Sequence, residues 1–311
     1  MQDYAVIFPG QGSQSVGMFS GFMQHPAVSA TFDEAGEVLG YDLRAVCLNG
    51  PEEELGRTEV TQPAILTASV AAWRALSDGL PPPQAAAGHS LGEYSALVAA
   101  GSLEFSDALR LVRLRGQAMQ EAVPRGSGAM AAVLGLEEPD IAACCAEAST
   151  ADEAVWVANL NAPGQVVISG AAAAVERAAA AVQERGARRV VMLPVSAPSH
   201  CPLMSPAAAR LREALSQITL RDARFPVCVN VTAAAVQDHA ELSELLVRQL
   251  TEPVRWVDCV RQLSGRGLRL LIEAGPGRVL SGLCRRIDRS LTLCSVADED
   301  GLRQAQAAVA G

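Results

Sequence analysis

The chain contains no lysine: all 25 of its basic residues are arginine. That absence removes lysine Schiff-base chemistry, a phosphate-binding P-loop and a Ser-Lys catalytic dyad in one step. Histidine is scarce, with four residues, and aromatics make up only 4% of the chain. The eight cysteines include no C-x-x-C pair, so reduced thiols fit the chain better than a disulfide framework or a zinc site, and no metal centre is expected. No apolar run reaches the roughly 20 residues that span a bilayer. The start Met1-Gln2-Asp3-Tyr4 has neither the positive charge nor the apolar stretch of a secretory signal. The expectation is a cytoplasmic protein with no membrane partner. A formal charge of -9 also argues against nucleic acid, whose binding rests on a basic surface.

What is present is a hydrophobic half of the chain, 50% of 311 residues, enough for a large core in one domain with an insertion or in two modest domains. Tyr4-Ala5-Val6-Ile7-Phe8 reads as a buried strand stopped by Pro9-Gly10. The following Gly10-Gln11-Gly12 suggests a dinucleotide loop, but Ser15 stands where that pattern needs glycine or alanine. Helical patterns run over Pro63 to Leu76 and Phe105 to Gln120. Between Pro124-Arg125-Gly126 and Ser196-Ala197-Pro198-Ser199 the pattern becomes a series of its own. It gives strands at Ala129 to Leu134, Val155 to Asn159, Gln165 to Ser169 and Arg189 to Leu193, with helices at Pro139 to Ala148 and Ala171 to Arg185. That order, βαββαβ, is the split ferredoxin-like arrangement. Strands at Val227 to Val231 and Leu268 to Glu273 then return the chain to the first sheet. The predicted fold class is α/β: a large α/β-hydrolase-like domain, residues 1–125 and 197–311, interrupted by a small ferredoxin-like domain, residues 126–196.

Gly88-His89-Ser90-Leu91-Gly92 lies between the small apolar segment Ala85-Ala86-Ala87 and a helix-like run from Glu93. A serine on a tight strand-to-helix turn is thrust outward, and glycines two positions either side relieve the crowding. Ser90 is therefore a candidate nucleophile, although glycine-flanked helix starts without chemistry share the pattern. A nucleophilic serine needs a base. His89 is its neighbour on the turn and points elsewhere, while His25 and His239 lie in polar stretches that suit solvent exposure. His200, in the proline-fixed loop Pro198-Ser199-His200-Cys201-Pro202, is the preferred base, with a structural loop histidine as the alternative. Along Phe105 to Gln120, Arg115 falls at helical spacing from Leu111, Val112 and Met119, so it is pressed toward the core, whereas Arg110 and Arg113 read as surface charges. A buried guanidinium demands an anion; a structural carboxylate and a substrate carboxylate gripped bidentately both satisfy that demand. Arg188-Arg189 and Arg285-Arg286 with Arg289 are candidate patches for an acidic partner, and ordinary solvated ends of elements explain them equally well.

Six ordered blocks then carry a resemblance. They are Phe8 to Gln14, Gly88 to Glu93, Arg115-Gly116 with Met119-Gln120, Ser199-His200-Cys201 with Leu203-Met204, Gln249-Leu250 with Pro253 to Trp256, and Glu273 to Gly277. From about residue 4 to 290 the chain resembles the bacterial malonyl-CoA:acyl carrier protein transacylases. The resemblance implies transfer of malonyl from coenzyme A, through a serine ester, to the phosphopantetheine thiol of acyl carrier protein in fatty acid synthesis, with no cofactor besides the substrates. It implies Ser90 as nucleophile, His200 as base, the backbone N–H groups of Gln11 and Leu91 as oxyanion donors, and Arg115 as the malonate clamp. It further implies that the main-chain carbonyl of Gln249 orients the histidine, that Met119 faces the substrate, and that Asn159 and Asn161 lie in a small-domain segment facing the cleft, with loop-capping amides as an equal alternative for those two. The rival readings are an acyltransferase serving a polyketide synthase or a malonate decarboxylase, a serine esterase with the chain order Ser, acid, His, and a degenerate docking scaffold.

Overall fold

The computed structural model describes residues 1–195 and 197–311; Ser196, at the expected domain boundary, lies outside them. Ten strands are named here in chain order: β1 (Tyr4–Phe8), β2 (Ala85–Gly88), β3 (Gly128–Leu134), β4 (Val155–Ala162), β5 (Gln165–Ala171), β6 (Arg189–Met192), β7 (Val227–Cys228), β8 (Ala235–Val236), β9 (Leu270–Ala274) and β10 (Thr292–Val296). They form a six-stranded sheet, β10-β9-β1-β2-β7-β8, and a four-stranded sheet, β4-β5-β3-β6. In the larger sheet every pair is parallel except β7 with β8. The smaller sheet is antiparallel throughout.

Every residue of β1 is buried, as a central parallel strand covered by helices on both faces must be. Its side chains alternate between two cores: Tyr4, Val6 and Phe8 enter one, Ala5 and Ile7 the other. The helix Thr58–Ser77 crosses the first core and is buried on nearly all sides. The helix Phe105–Glu121 packs on it through Gly116, where a Cβ would stand 2.9 Å from both Glu59 Cα and Thr58 O. That close crossing turns the neighbouring Arg115 inward.

The four-stranded sheet has the expected ferredoxin-like order, with the helices Glu138–Ala148 and Ala172–Glu184 on one face. Its other face carries Met130, Ala158 and Val167, packed with Leu193 and Val195, and looks toward the large sheet. Main-chain hydrogen bonds tie the two parts together. Leu160 N–H donates to Val254 O (2.9 Å) and Val254 N–H to Ala158 O (2.8 Å), while Arg286 donates to Pro163 O (3.0 Å) and to Gln165 Oε1.

Two strands differ from the sequence reading by three residues at one end, more than the others. β7 ends at Cys228 rather than at 231, because Asn230 leaves the ladder to bond the turn at Ser90 and Ala233 takes a left-handed backbone (φ 55°). β4 continues past 159 to Ala162, with register shifts on either side of Asn159–Leu160, where its backbone pairs with Val254. Among the described residues no helix is long and apolar enough to cross a membrane.

Candidate active site

Register in the large sheet places Gly88 beside Phe8, and the chain then turns sharply into the helix Gly92–Ala99. The turn is too tight for side chains at its two glycines. A Cβ on Gly88 would sit 1.9 Å from Gly92 C, and one on Gly92 would sit 2.1 Å from Phe8 O. Ser90 takes a left-handed backbone, φ 51°, a conformation that costs a non-glycine residue energy and aims its Oγ outward. The spacing read in the sequence therefore corresponds to a true elbow.

His200 also has a positive φ, 60°, and its ring reaches the serine. Ser90 Oγ and His200 Nε2 are 2.8 Å apart, and His200 Nδ1 lies 2.7 Å from the main-chain oxygen of Gln249. A carbonyl can only accept, so Nδ1 carries the proton and Nε2 is left to accept from the Ser90 hydroxyl. Burial, with the nearby Arg115 cation, pulls the His200 pKa down to about 3, which keeps the imidazole neutral at physiological pH. Its orienting partner is a main-chain carbonyl rather than a carboxylate, which sets the arrangement apart from the Ser-acid-His order of esterases.

Arg115 is 2% exposed. Its Nη2 donates to Ser90 Oγ (3.1 Å) and to Gln249 Oε1 (3.2 Å), and its guanidinium lies over the Tyr94 ring at 5.7 Å. Among the described residues no carboxylate makes a direct ion pair with it, although the buried Glu93 acts on it through charge. Its Nε is buried without a partner. Desolvation lowers its pKa, but arginine starts so high that the group remains a cation.

These residues line a cleft of about 180 Å3 between the two sheets, which also includes Gln11, Leu91, Met119, Asn159 and Asn161. Gln11 lies in an exposed turn held by Ser13 Oγ donating to Gly10 O (2.7 Å) and Gly12 N–H donating to Gln14 Oε1 (2.8 Å). Met119 is buried at the cleft wall, where its sulfur takes a contact from Gln62 Nε2 at 3.6 Å. The two asparagines differ. Asn159 is nearly buried, whereas Asn161 Oδ1 is 2.8 Å from His89 Nε2. The sequence reading set His89 aside as a base, and its bond to Asn161 and edge contact with Trp256 (5.6 Å) give it another role. His239 is exposed beside Asp222. His25, expected to be exposed, is instead half-buried against Phe22 at the start of the helix Pro26–Leu39. Arg113 likewise is half-buried, donating to Leu39 O at 3.0 Å, because Tyr41 and the helix end cover it.

Two participants escaped the sequence reading. Glu93 is fully buried behind the elbow, and burial raises its carboxyl pKa to about 7 against the opposing pull of the Asn230 N–H, Gln249 and Arg115. Asn230 accepts from Ser90 N–H through Oδ1 at 2.7 Å, so the serine's own N–H is engaged and cannot serve an oxyanion. A glutamate directly after the second elbow glycine, forced into the core by the turn, was the available signal for Glu93; Asn230 gave none.

The comparisons with known proteins agree in kind. The profile described as the acyl transferase domain matches residues 5–297. The malonyl CoA-acyl carrier protein transacylase of Salmonella typhimurium is 50% identical over 98% of this chain and 99% of that protein. The Bacillus subtilis protein of the same name is 44% identical over 98% and 96%. An acyl-carrier-protein S-malonyltransferase from Burkholderia pseudomallei has TM-score 0.96 and 48% identity, over 98% of this chain and all of that one. A malonyl-transacylase solved in complex with its type II PKS acyl-carrier protein also gives 0.96 and 48%, over 99% and 100%.

Proposed function

The chain belongs to the acyl transferase family, and from that premise we propose that it carries malonyl from coenzyme A to acyl carrier protein through a malonyl ester on Ser90. The reading is supported above all by the placement of Arg115, a buried cation with no carboxylate in direct contact, 3.1 Å from the Ser90 hydroxyl. A malonyl thioester brings its own carboxylate, and the guanidinium fork matches that group.

In the first half-reaction the Ser90 proton passes to His200 Nε2 while Oγ attacks the thioester carbonyl. The backbone N–H groups of Gln11 and Leu91 receive the oxyanion, a contribution typically about 3 to 4 kcal/mol per donor. Collapse breaks the C–S bond, and the departing thiolate takes the proton from His200. In the second, the carrier protein's thiol gives its proton to His200 and its sulfur attacks the ester, and collapse returns the proton to the Ser90 oxygen. Gln249 holds the imidazole through its carbonyl, Asn159 and Met119 shape the acyl site, and Asn161 reaches it as one half of its pair with His89. No cofactor beyond the substrates enters this scheme. We assign the catalytic groups to residues 1–125 and 197–311 and the roof of the cleft to 126–196, and place the enzyme in the cytoplasm, in keeping with its free cysteines.

Intact-protein mass spectrometry after mixing with malonyl-CoA tests the reading: a malonyl adduct is expected on the parent and none on Ser90→Ala. Persistence of the adduct in that variant removes Ser90 as carrier. The equal similarity to a polyketide malonyl-transacylase favours one second reading, service to a polyketide carrier protein. Presenting both kinds of carrier protein to the malonylated enzyme separates the two.

A further inference from the structure

Asn230 takes no part in the scheme above, yet it is fully buried and makes four hydrogen bonds around the elbow. Its Nδ2 donates to Gly88 O (2.6 Å) and its Oδ1 accepts from Ser90 N–H (2.7 Å), so one amide grips the turn on both sides of His89. The same Oδ1 accepts from Gln249 Nε2 (3.3 Å), which also donates to Ser90 O (3.0 Å). Its own backbone N–H donates to Glu93 Oε2 (2.7 Å). Gln249 is the residue whose carbonyl receives His200 Nδ1–H.

Two flexible placements must agree for a proton to move between Ser90 and His200. The serine sits on a left-handed backbone, and the histidine is held by a carbonyl at a helix end, just past Arg248. Gln249 Nε2 bonds Ser90 O directly, and Asn230 adds a second tie that also reaches Gly88. We propose that Asn230 is a positioning residue that sets the nucleophile and the base in one frame, by bonding the elbow and Gln249 through a single side-chain amide. The proposal rests on Ser90 being the nucleophile. The chemistry of the amide explains why asparagine stands there: the site needs a donor for the Gly88 carbonyl and an acceptor for two N–H groups on one short side chain. Aspartate supplies the acceptor and loses the donor unless it is protonated.

The test uses the full chain with Asn230→Ala and Asn230→Asp. Two rates are read per folded molecule by intact mass: labelling of Ser90 by a fluorophosphonate, and single-turnover formation of the malonyl adduct. Misplacement by an ångström costs about 100-fold, so both rates should fall by about that factor in Asn230→Ala. The malonyl-CoA concentration giving half the maximal rate should stay within about threefold, as expected for a group that acts on the chemical step rather than on binding. In Asn230→Asp the introduced carboxyl regains a donor when protonated, and burial beside Glu93 favours that form. Relative to the parent its rates should therefore recover about tenfold from pH 8 to pH 5.5, where such a raised carboxyl takes up its proton. The ionisable groups facing this network are Glu93, Arg115, His200, His89, Tyr94 and Cys259. Burial raises Tyr94, and the Cys228 contact with burial raises Cys259, so both keep their protons across this range. His200, its pKa held near 3, stays neutral across that range, whereas Glu93, bonded to the backbone of residue 230, couples to the new carboxyl, so the ratio to the parent reads the titration of the pair that the substitution creates.

Rates per folded molecule within about threefold of the parent, with only the melting temperature lowered, overturn the proposal, as does a flat Asp-to-parent ratio across pH. If Asn230→Ala does not fold, the pH series on Asn230→Asp decides alone. Fluorophosphonate labelling that depends on Asn230, in a protein that takes no malonyl adduct, would count against the malonyl reading and leave the positioning role standing.

Discussion

Replacing Arg115 with alanine should convert a malonyl-selective site into one that treats malonyl and acetyl thioesters alike. The guanidinium Nη2 lies 3.1 Å from Ser90 Oγ and donates as well to Gln249 Oε1 at 3.2 Å. A malonyl carboxylate, two bonds beyond the reacting carbonyl, is taken in ionic contact with it, a separation of about 4 Å between the charges. At that separation and an effective dielectric of about 20, the attraction is about 4 kcal/mol. Part of it is offset by desolvating the carboxylate, and truncating one partner of a buried hydrogen-bonded charge pair typically costs about 2 to 5 kcal/mol. A net loss near 3 kcal/mol corresponds to about a hundredfold in kcat/KM for malonyl-CoA, since about 1.4 kcal/mol is tenfold. Acetyl-CoA has no carboxylate to lose, so its kcat/KM should hold or rise. The assay is transfer of each acyl group to carrier protein at several donor concentrations, with circular dichroism to confirm the fold. An equal fall for both donors, leaving their ratio unchanged, would refute the clamp and make Arg115 a support for Ser90 and Gln249.

Because burial holds the His200 pKa near 3, the rate of malonyl-ester formation should not fall through loss of the base between pH 8 and pH 5; a stopped reaction series that titrates near 6.5 would contradict this. The same depression has a stability consequence of defined sign. The unfolded histidine binds a proton near 6.5 and the folded one does not, so this contribution to stability is present above pH 6.5 and shrinks as pH falls toward 3. His200→Asn should accordingly lose less stability than the parent between pH 7 and pH 5 by denaturant titration. Gly92→Ala places a Cβ 2.1 Å from Phe8 O, against main chain of a central strand. It should destabilise by more than about 3 kcal/mol or abolish soluble expression, and an active, stable variant would show that the elbow can relax.

Much of this site is written locally. The elbow was legible because its glycines answer a crowding set by five consecutive residues. Arg115 was legible because a helix repeats every 3.6 residues, so inward direction follows from Leu111, Val112 and Met119 alone. His200 emerged by elimination among four histidines. The order of the small sheet was legible because strand and helix patterns alternate cleanly from Gly128 to Met192. Backbone groups were not. The N–H of Gln11 or Leu91 and the carbonyl of Gln249 carry no side-chain signature, and they came from the resemblance. Asn230 was hidden for a different reason: its partners Gly88, Ser90 and Glu93 lie 137 to 142 residues away, and an asparagine between two valines reads as the end of a strand. The two-residue strands β7 and β8 are too short to leave a periodicity at all.

The pair of main-chain hydrogen bonds joining Ala158 and Leu160 to Val254 bears on how the two substrates take turns. That seam ties the two lobes together at one edge of the cleft between them. Coenzyme A and the carrier protein end in the same slender pantetheine arm, and a single slot of about 180 Å3 accommodates one such arm at a time. On the proposed scheme the spent thiol withdraws before the next arrives, so donor and acceptor alternate through one doorway.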